Sequence, residues 1–199
     1  MMKKALVLLA DGFEEVEAIT PIDYLRRAGI MVTTAAIFGG EMVKGSHNVG
    51  ILADTTLEKL TAQDSKQNFA ANAADWDAVV LPGGGMGSEN LAASAAVGSF
   101  VKAMAAAGKL VCAICAAPAV VLAPLGLLKG RRFTCYPGME AQTSGSAVSG
   151  ATWTEDRVVV DGTLITSRGA GTAGEFAAAI IGKLAGEAEA EKVGKAVLL

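Results

Sequence analysis

The stretch DAVVLPGGG, residues 77–85, decides the fold class. Ala78-Val79-Val80-Leu81 is apolar at every position, the pattern of a parallel strand covered on both faces rather than of a strand with one wet side. Pro82 and the glycines after it end the strand at once. Outward from this segment, Ala5–Leu9, Met31–Ile37, Leu110–Ile114, Arg157–Val160 and Leu164–Ser167 also read as strands. Helical character falls on Glu14–Ala28, Ser88–Ala107, Ala117–Ala123, Gly174–Leu184 and Ala188–Val197. In the first of these, Val16, Ile19, Ile22 and Leu25 recur at helical spacing, Arg26 and Arg27 lie near the C-terminal end, and Gly29 follows. Strand–helix alternation predicts an α/β sandwich with a mainly parallel sheet. No repeat or linker interrupts it, so residues 1–199 read as one domain. The polar, Asn- and Ala-rich stretch Gln67–Asp75 reads as a surface loop with a helical turn.

Composition narrows the function classes. With 52% hydrophobic and 19% charged residues, the chain is not intrinsically disordered. A net charge of −3 without a basic stripe argues against nucleic-acid binding. Three cysteines make no disulfide framework and leave at least one thiol unpaired, which points to a reducing, cytoplasmic setting. The apolar run Ala5–Ala10 after Lys3 and Lys4 is too short for a secretory signal, and acidic residues follow immediately. The uncharged stretch Val111–Leu128 is broken by Pro118 and Pro124, so it reads as a buried strand entering a buried helix, and no membrane partner is expected.

In an open parallel sheet, chemistry gathers beyond the C-terminal ends of the strands. Three loops leave strands there: Asp11–Glu17, Leu81–Gly87 and Cys112–Pro118. In the third, Cys115 stands between a buried strand and a helix start among small residues, the setting of a nucleophile elbow. A helix N-terminus there favours thiolate, the reactive form. The competing reading is that Cys115 is a small core residue. A Cys112/Cys115 redox pair fits poorly, because Cys112 falls inside the apolar strand. Zinc held by Cys112, Cys115, Cys135 and His47 lacks the second C-x-x-C or His pair of a structural site, so no metal is expected. Gly83–Gly85 is not followed by G-K-[ST] and makes a weak phosphate loop. It either permits a tight turn or brings a backbone N–H toward the nucleophile, where with the N–H of Ala116 it forms an oxyanion hole. Glu14 and Glu15 read as helix-start charges. Glu17 lies one turn further in; buried beside Cys115, its pKa rises and its proton bonds the sulfur.

Four stretches together resemble the ThiJ/PfpI family of the class I glutamine amidotransferase-like superfamily: ALVLLADGFEEVEAITPIDYLRRAG (5–29), DAVVLPGGGMGSENL (77–91), VCAICAAPAVVL (111–122) and TSRGAGTAGEF (166–176). They keep the family's order and spacing, in the branch that holds the parkinsonism-associated deglycase and redox chaperone. The resemblance implies a flavodoxin-like three-layer sandwich that forms a homodimer. It also implies Cys115 as nucleophile, Glu17 as the carboxyl touching it, and Gly84 and Ala116 as backbone donors. Gly85, Tyr136 and His47 are carried over as pocket residues. Tyr136 stands where the human-type branch has a histidine, His47 where relatives have an arginine, and Ala116 where protease-like branches place a histidine. Peptidase activity is therefore not expected. The implied activity is that of a cofactor-independent glyoxalase or deglycase acting on methylglyoxal or its thiol and amine adducts, giving lactate. The alternative is a redox sensor or holdase working through oxidation of Cys115.

Overall fold

The computed structural model describes residues 2–61, 69–143 and 145–199. Its main sheet is built from β1 (Lys4–Leu9), β2 (Met31–Ala36), β5 (Thr55–Thr56), β6 (Ala78–Leu81), β7 (Leu110–Ile114), β10 (Val158–Asp161) and β11 (Leu164–Ser167). The strand order is β10-β11-β7-β6-β1-β2-β5. All neighbours are parallel except β10 and β11. Two small sheets complete the strands: a hairpin of β3 (Met42–Lys44) and β4 (Gly50–Leu52), and the pair β8 (Arg132–Phe133) and β9 (Thr152–Trp153). The helices are α1 (Glu15–Arg27), α2 (Leu57–Thr61), α3 (Phe69–Ala74), α4 (Gly85–Ala93), α5 (Ala95–Ala106), α6 (Ala173–Ala185) and α7 (Glu187–Val197).

Because strand side chains alternate between faces, β1 feeds two cores. Leu6 and Leu8 join Val79, Leu81, Phe100 and Met104 on one side of the sheet. Val7 and Leu9 join Val80, Ile114, Ile22, Phe176 and Ile181 on the other. Each fully buried side chain of this size contributes about 1.5–3 kcal/mol relative to exposure. Helices on both faces of a mostly parallel sheet make the expected flavodoxin-like three-layer sandwich. Among the described residues, no helix is long and apolar enough to cross a membrane.

The strands Ala78–Leu81, Leu110–Ile114 and Leu164–Ser167 stand where the sequence places them. The helices correct it in two places. The expected single helix over Ser88–Ala107 starts earlier and breaks at Ser94, whose extended backbone (ψ 109°) and hydroxyl accepting from Val97 N–H cap α5. The expected α-helix over Ala117–Ala123 is a π-helical segment, Pro118–Leu122, closed by an Ala123 N–H bond to the Pro118 carbonyl. Of the surface loop expected over Gln67–Asp75, residues 69–74 form α3, and 67–68 lie outside the described residues. The β3–β4 hairpin carries no pattern that reads as strand. It is fixed by other contacts: Lys44 N–H donates to Asp11 Oδ1 at 2.8 Å, and Ser46 N–H to the Phe13 carbonyl at 2.8 Å.

Candidate active site

Cys115 directly follows β7 with φ +64°, in the left-handed region that a residue with a Cβ rarely occupies. Such a backbone costs on the order of 1–3 kcal/mol and persists only where its surroundings enforce it. Here the enforcement is visible on both sides. Cys115 N–H donates to the Ser167 carbonyl of β11 at 2.9 Å, and the Cys115 carbonyl accepts from Tyr136 N–H at 2.8 Å. The strained turn lifts the sulfur out of the sheet to a half-buried position.

Glu17 reaches the sulfur from α1. Glu14 caps that helix, its carboxylate accepting from Glu17 N–H at 2.8 Å, and this sets where the first turn begins. The Glu17 carboxyl is 1% exposed, accepts from Gly83 N–H at 2.9 Å and from Ala170 N–H, and shares a hydrogen bond with Cys115. Burial raises its pKa to about 7, with the charge of Glu14 adding to the rise. Burial likewise pushes the Cys115 thiol up to about 12, the Glu17 carboxylate adding to it, while N–H groups of Gly84 and Ala116 on the sulfur pull the other way. The thiolate expected from a helix start is thus outweighed: the segment after Cys115 is one short π-helical turn, and desolvation dominates. The two groups titrate as a pair. Above about pH 7 the pair carries one negative charge and one proton across the hydrogen bond between them.

Glycines make this contact possible. A Cβ on Gly83 would lie 2.5 Å from Cys115 Cβ and 2.5 Å from Glu17 Oε2. Gly84 has φ +86°, and a Cβ there would strike the Gly12 carbonyl. Sequence alone points to the second glycine of the run as a donor and not to the first, which holds Glu17. The run itself was the available signal. Gly169 was also missed: it packs between Glu17 and the Tyr136 ring, with its virtual Cβ 3.7 Å from Glu17 Oε1 and 3.5 Å from the ring.

The remaining expected residues are dispersed. Gly85 is the exposed first residue of α4, with open space around it. Tyr136 is half exposed and lines a cleft of about 480 Å³ with Pro137, Arg168, Gly169, Ala170 and Thr172. His47 is held on Glu15: its N–H donates to Glu15 Oε1 at 2.6 Å and its Nδ1 lies 2.8 Å from Oε2. Among the described contacts, none joins His47 to Cys115 or Glu17. Glu15 does more than complement a helix dipole. Against the effect of burial, the His47 side chain and the N–H groups of His47 and Val49 hold its pKa at about 2, and the carboxylate raises the pKa of His47 in return. Glu14, Glu15 and His47 bring ligand atoms within 4.8 Å of one another, but Glu15 already accepts from His47, Ser46 and Val49, so the group reads as a hairpin anchor and not as a cation site.

Comparison with known proteins identifies the family and agrees with the fold. The DJ-1/PfpI family model matches residues 3–183. The chain is 46% identical to protein dj-1beta of Drosophila melanogaster, over 100% of this chain and 98% of that one. The crystal structure of Drosophila DJ-1beta superposes with a TM-score of 0.87, covering 100% of this chain and 99% of that one at 44% identity. A Pyrococcus abyssi protein named as a deglycase is 33% identical over 83% of this chain and 89% of its own. A structure of oxidized Toxoplasma gondii DJ-1 has a TM-score of 0.86 at 35% identity, covering 98% of each chain. With the family model spanning nearly the whole length and relatives this similar, the chain belongs to the DJ-1/PfpI family.

Proposed function

We propose that the protein is a cysteine-dependent enzyme of the glyoxalase or deglycase kind, acting without a cofactor on methylglyoxal or its thiol and amine adducts. The observation that carries this reading is the buried Glu17 carboxyl hydrogen-bonded to Cys115 at a strained elbow, with the Gly84 and Ala116 N–H groups on the sulfur. Glu17 takes the thiol proton as sulfur adds to the aldehyde carbon: an S–C bond forms, the carbonyl electron pair moves to oxygen beside the Gly84 and Ala116 N–H groups, and Glu17 hands its proton to the neighbouring ketone oxygen, which leaves it a carboxylate. The Glu17 carboxylate takes the proton from that carbon and returns it to the neighbouring carbon. The result is a thioester of lactate, which water hydrolyses, restoring the thiol. One carbon is oxidised and its neighbour reduced, so no external redox partner enters. From an adduct, the thiol or amine leaves in repaired form. Similarity to a relative named as a deglycase supports this. Lactate release from methylglyoxal by purified protein tests it. Release is expected from wild type and absent from Cys115→Ala; equal release by both overturns the assignment.

Cys115 is partly exposed where Cys112 and Cys135 are buried, which also favours a second reading, oxidation of Cys115 to a sulfinate that protonated Glu17 caps. Cys112 is fully buried with its pKa raised by burial, and Cys135 is buried with its thiol pushed up to about 12. Mild peroxide should therefore oxidise Cys115 first. Peptide mass spectrometry showing Cys112 or Cys135 modified ahead of it would remove Cys115 as the reactive thiol. A homodimer belongs to the same proposal: Val16 and Ile19 of α1 and Met42, Val49 and Leu52 of the hairpin leave apolar side chains exposed, surface that a second copy would cover.

A further inference from the structure

The cleft beside Tyr136 is lined by an arginine whose charge no carboxylate among the described residues neutralises. Two arginines reach it. Arg157 is spoken for: its Nε and Nη2 donate to both Glu175 oxygens at 2.7 and 3.0 Å, and Nη2 also donates to the Gly171 carbonyl at 2.7 Å. Arg168 differs. It is half-buried, its Nη1 donates to the Glu155 carbonyl at 2.9 Å, and it forms no salt bridge among the described residues. A guanidinium offers five N–H donors in a rigid fork, so most of this one remains free. Its field is felt inside the protein, since the Arg168 charge pulls the Cys135 thiol downward against burial.

The wall of the cleft adjoins the reacting pair. Tyr136 bonds to the Cys115 carbonyl through its N–H, Gly169 packs on Glu17, and Ala170 N–H reaches the Glu17 carboxylate. An adduct poised at Cys115, with its thiol or amine part extending past Tyr136, therefore meets Arg168 before that part leaves. We propose that this cleft is an anion subsite, in which Arg168 receives the carboxylate of a substrate larger than methylglyoxal itself. The substrate class is the adduct of a 2-oxoaldehyde with a thiol or amine that bears a carboxylate. A planar carboxylate matches the guanidinium fork, which gives orientation as well as attraction. This inference rests on the proposed glyoxalase or deglycase reading for its substrate, but its test does not.

Iodoacetate and iodoacetamide alkylate the same thiolate and differ by one carboxylate, so the ratio of their rates at Cys115 is independent of how far that thiol is ionised. Replacing Arg168 by Gln should lower the iodoacetate/iodoacetamide ratio about three- to tenfold, the effect of one partly screened unit charge. Arg168→Lys should keep most of it. In wild type, raising NaCl from 20 mM to 1 M should lower the ratio in the same direction. An unmoved ratio in folded Arg168→Gln, or across the salt series in wild type should that variant not fold, overturns the subsite. With turnover as the readout, the methylglyoxal hemithioacetal of N-acetylcysteine should lose more kcat/KM in Arg168→Gln than that of N-acetylcysteinamide. If neither adduct is turned over by wild type, the enzymatic reading falls while the alkylation ratio still decides the subsite.

Discussion

Under the proposed function, Glu17→Gln should lower methylglyoxal turnover on the order of 10²-fold and, in the same molecule, stabilise the fold above neutral pH. Both effects come from one buried carboxyl. Gln keeps the size, its amide oxygen can accept from Gly83 N–H, and its amide nitrogen can donate to the sulfur, so the geometry of the site survives. It cannot carry a proton from one carbon to the next. Stability moves the other way. The folded-state pKa of Glu17 is about 7, above its ordinary 4.5, so between these values the native state binds more protons than the unfolded chain. Stability then falls as pH rises through that window. The full penalty stands above about pH 7 and amounts to about 3 kcal/mol on the scale of 1.36 kcal/mol per pH unit. Glu17→Gln removes it. Denaturant unfolding at pH 8 should show the variant more stable than wild type, with the gap closing by pH 4–5. Wild-type turnover should rise as pH passes through about 7, where the carboxylate becomes available as base. A variant no more stable than wild type at pH 8 would show that Glu17 is not held at a cost for function.

How much of this could be read in the chain depends on how local each cause is. The parallel strands were legible because burial on both faces leaves an uninterrupted apolar run, as in Ala78–Leu81 and Leu110–Ile114. The elbow was legible because a cysteine among alanines at a strand end has few other reasons to stand there. The break at Ser94 was not, since a serine within a helical pattern becomes a cap only when the packing of α5 turns the chain. The short strands of the hairpin were invisible because docking to Asp11 and Phe13, and not an apolar alternation, holds them. His47 shows the same limit at the site. Its position near Glu15 depends on where that hairpin lands, and the carboxylate that receives it reads in sequence as one more acidic residue at a helix start. The thiolate expectation failed for a different reason: a helix-start field is visible in sequence, but the desolvation that opposes it is a property of the packed interior.

Gly83→Ala should disable catalysis without altering either reacting group. The added methyl lands 2.5 Å from Cys115 Cβ and 2.5 Å from Glu17 Oε2, between the two groups whose contact the proposed chemistry needs. Cys115 is held in place by two backbone hydrogen bonds and cannot retreat cheaply from a backbone already at φ +64°. Glu17 is the softer partner, so its carboxyl swings away and its bonds to Gly83 N–H and the sulfur lengthen. A displacement of about 1 Å at a reacting group is enough for a 10²-fold loss in rate. The approaches to Cys115 Cβ and to the Ile114 carbonyl at 3.0 Å remain, so the variant should also lose about 3 kcal/mol or more of stability, and its turnover is read per folded molecule. Gly84→Ala reverses the balance. Its methyl meets the Gly12 carbonyl, backbone that has nowhere to go, at a φ of +86° that itself disfavours a side chain. It should destabilise the fold by more than Gly83→Ala does. Gly40→Ala, with open space around it and no positive φ, is the control and should stay within about 0.5 kcal/mol of wild type. Lactate release and denaturant midpoints measured on the three variants decide the matter. Should Gly83→Ala retain wild-type turnover, the contact between Glu17 and Cys115 is not what drives the chemistry, however close the two groups lie at rest.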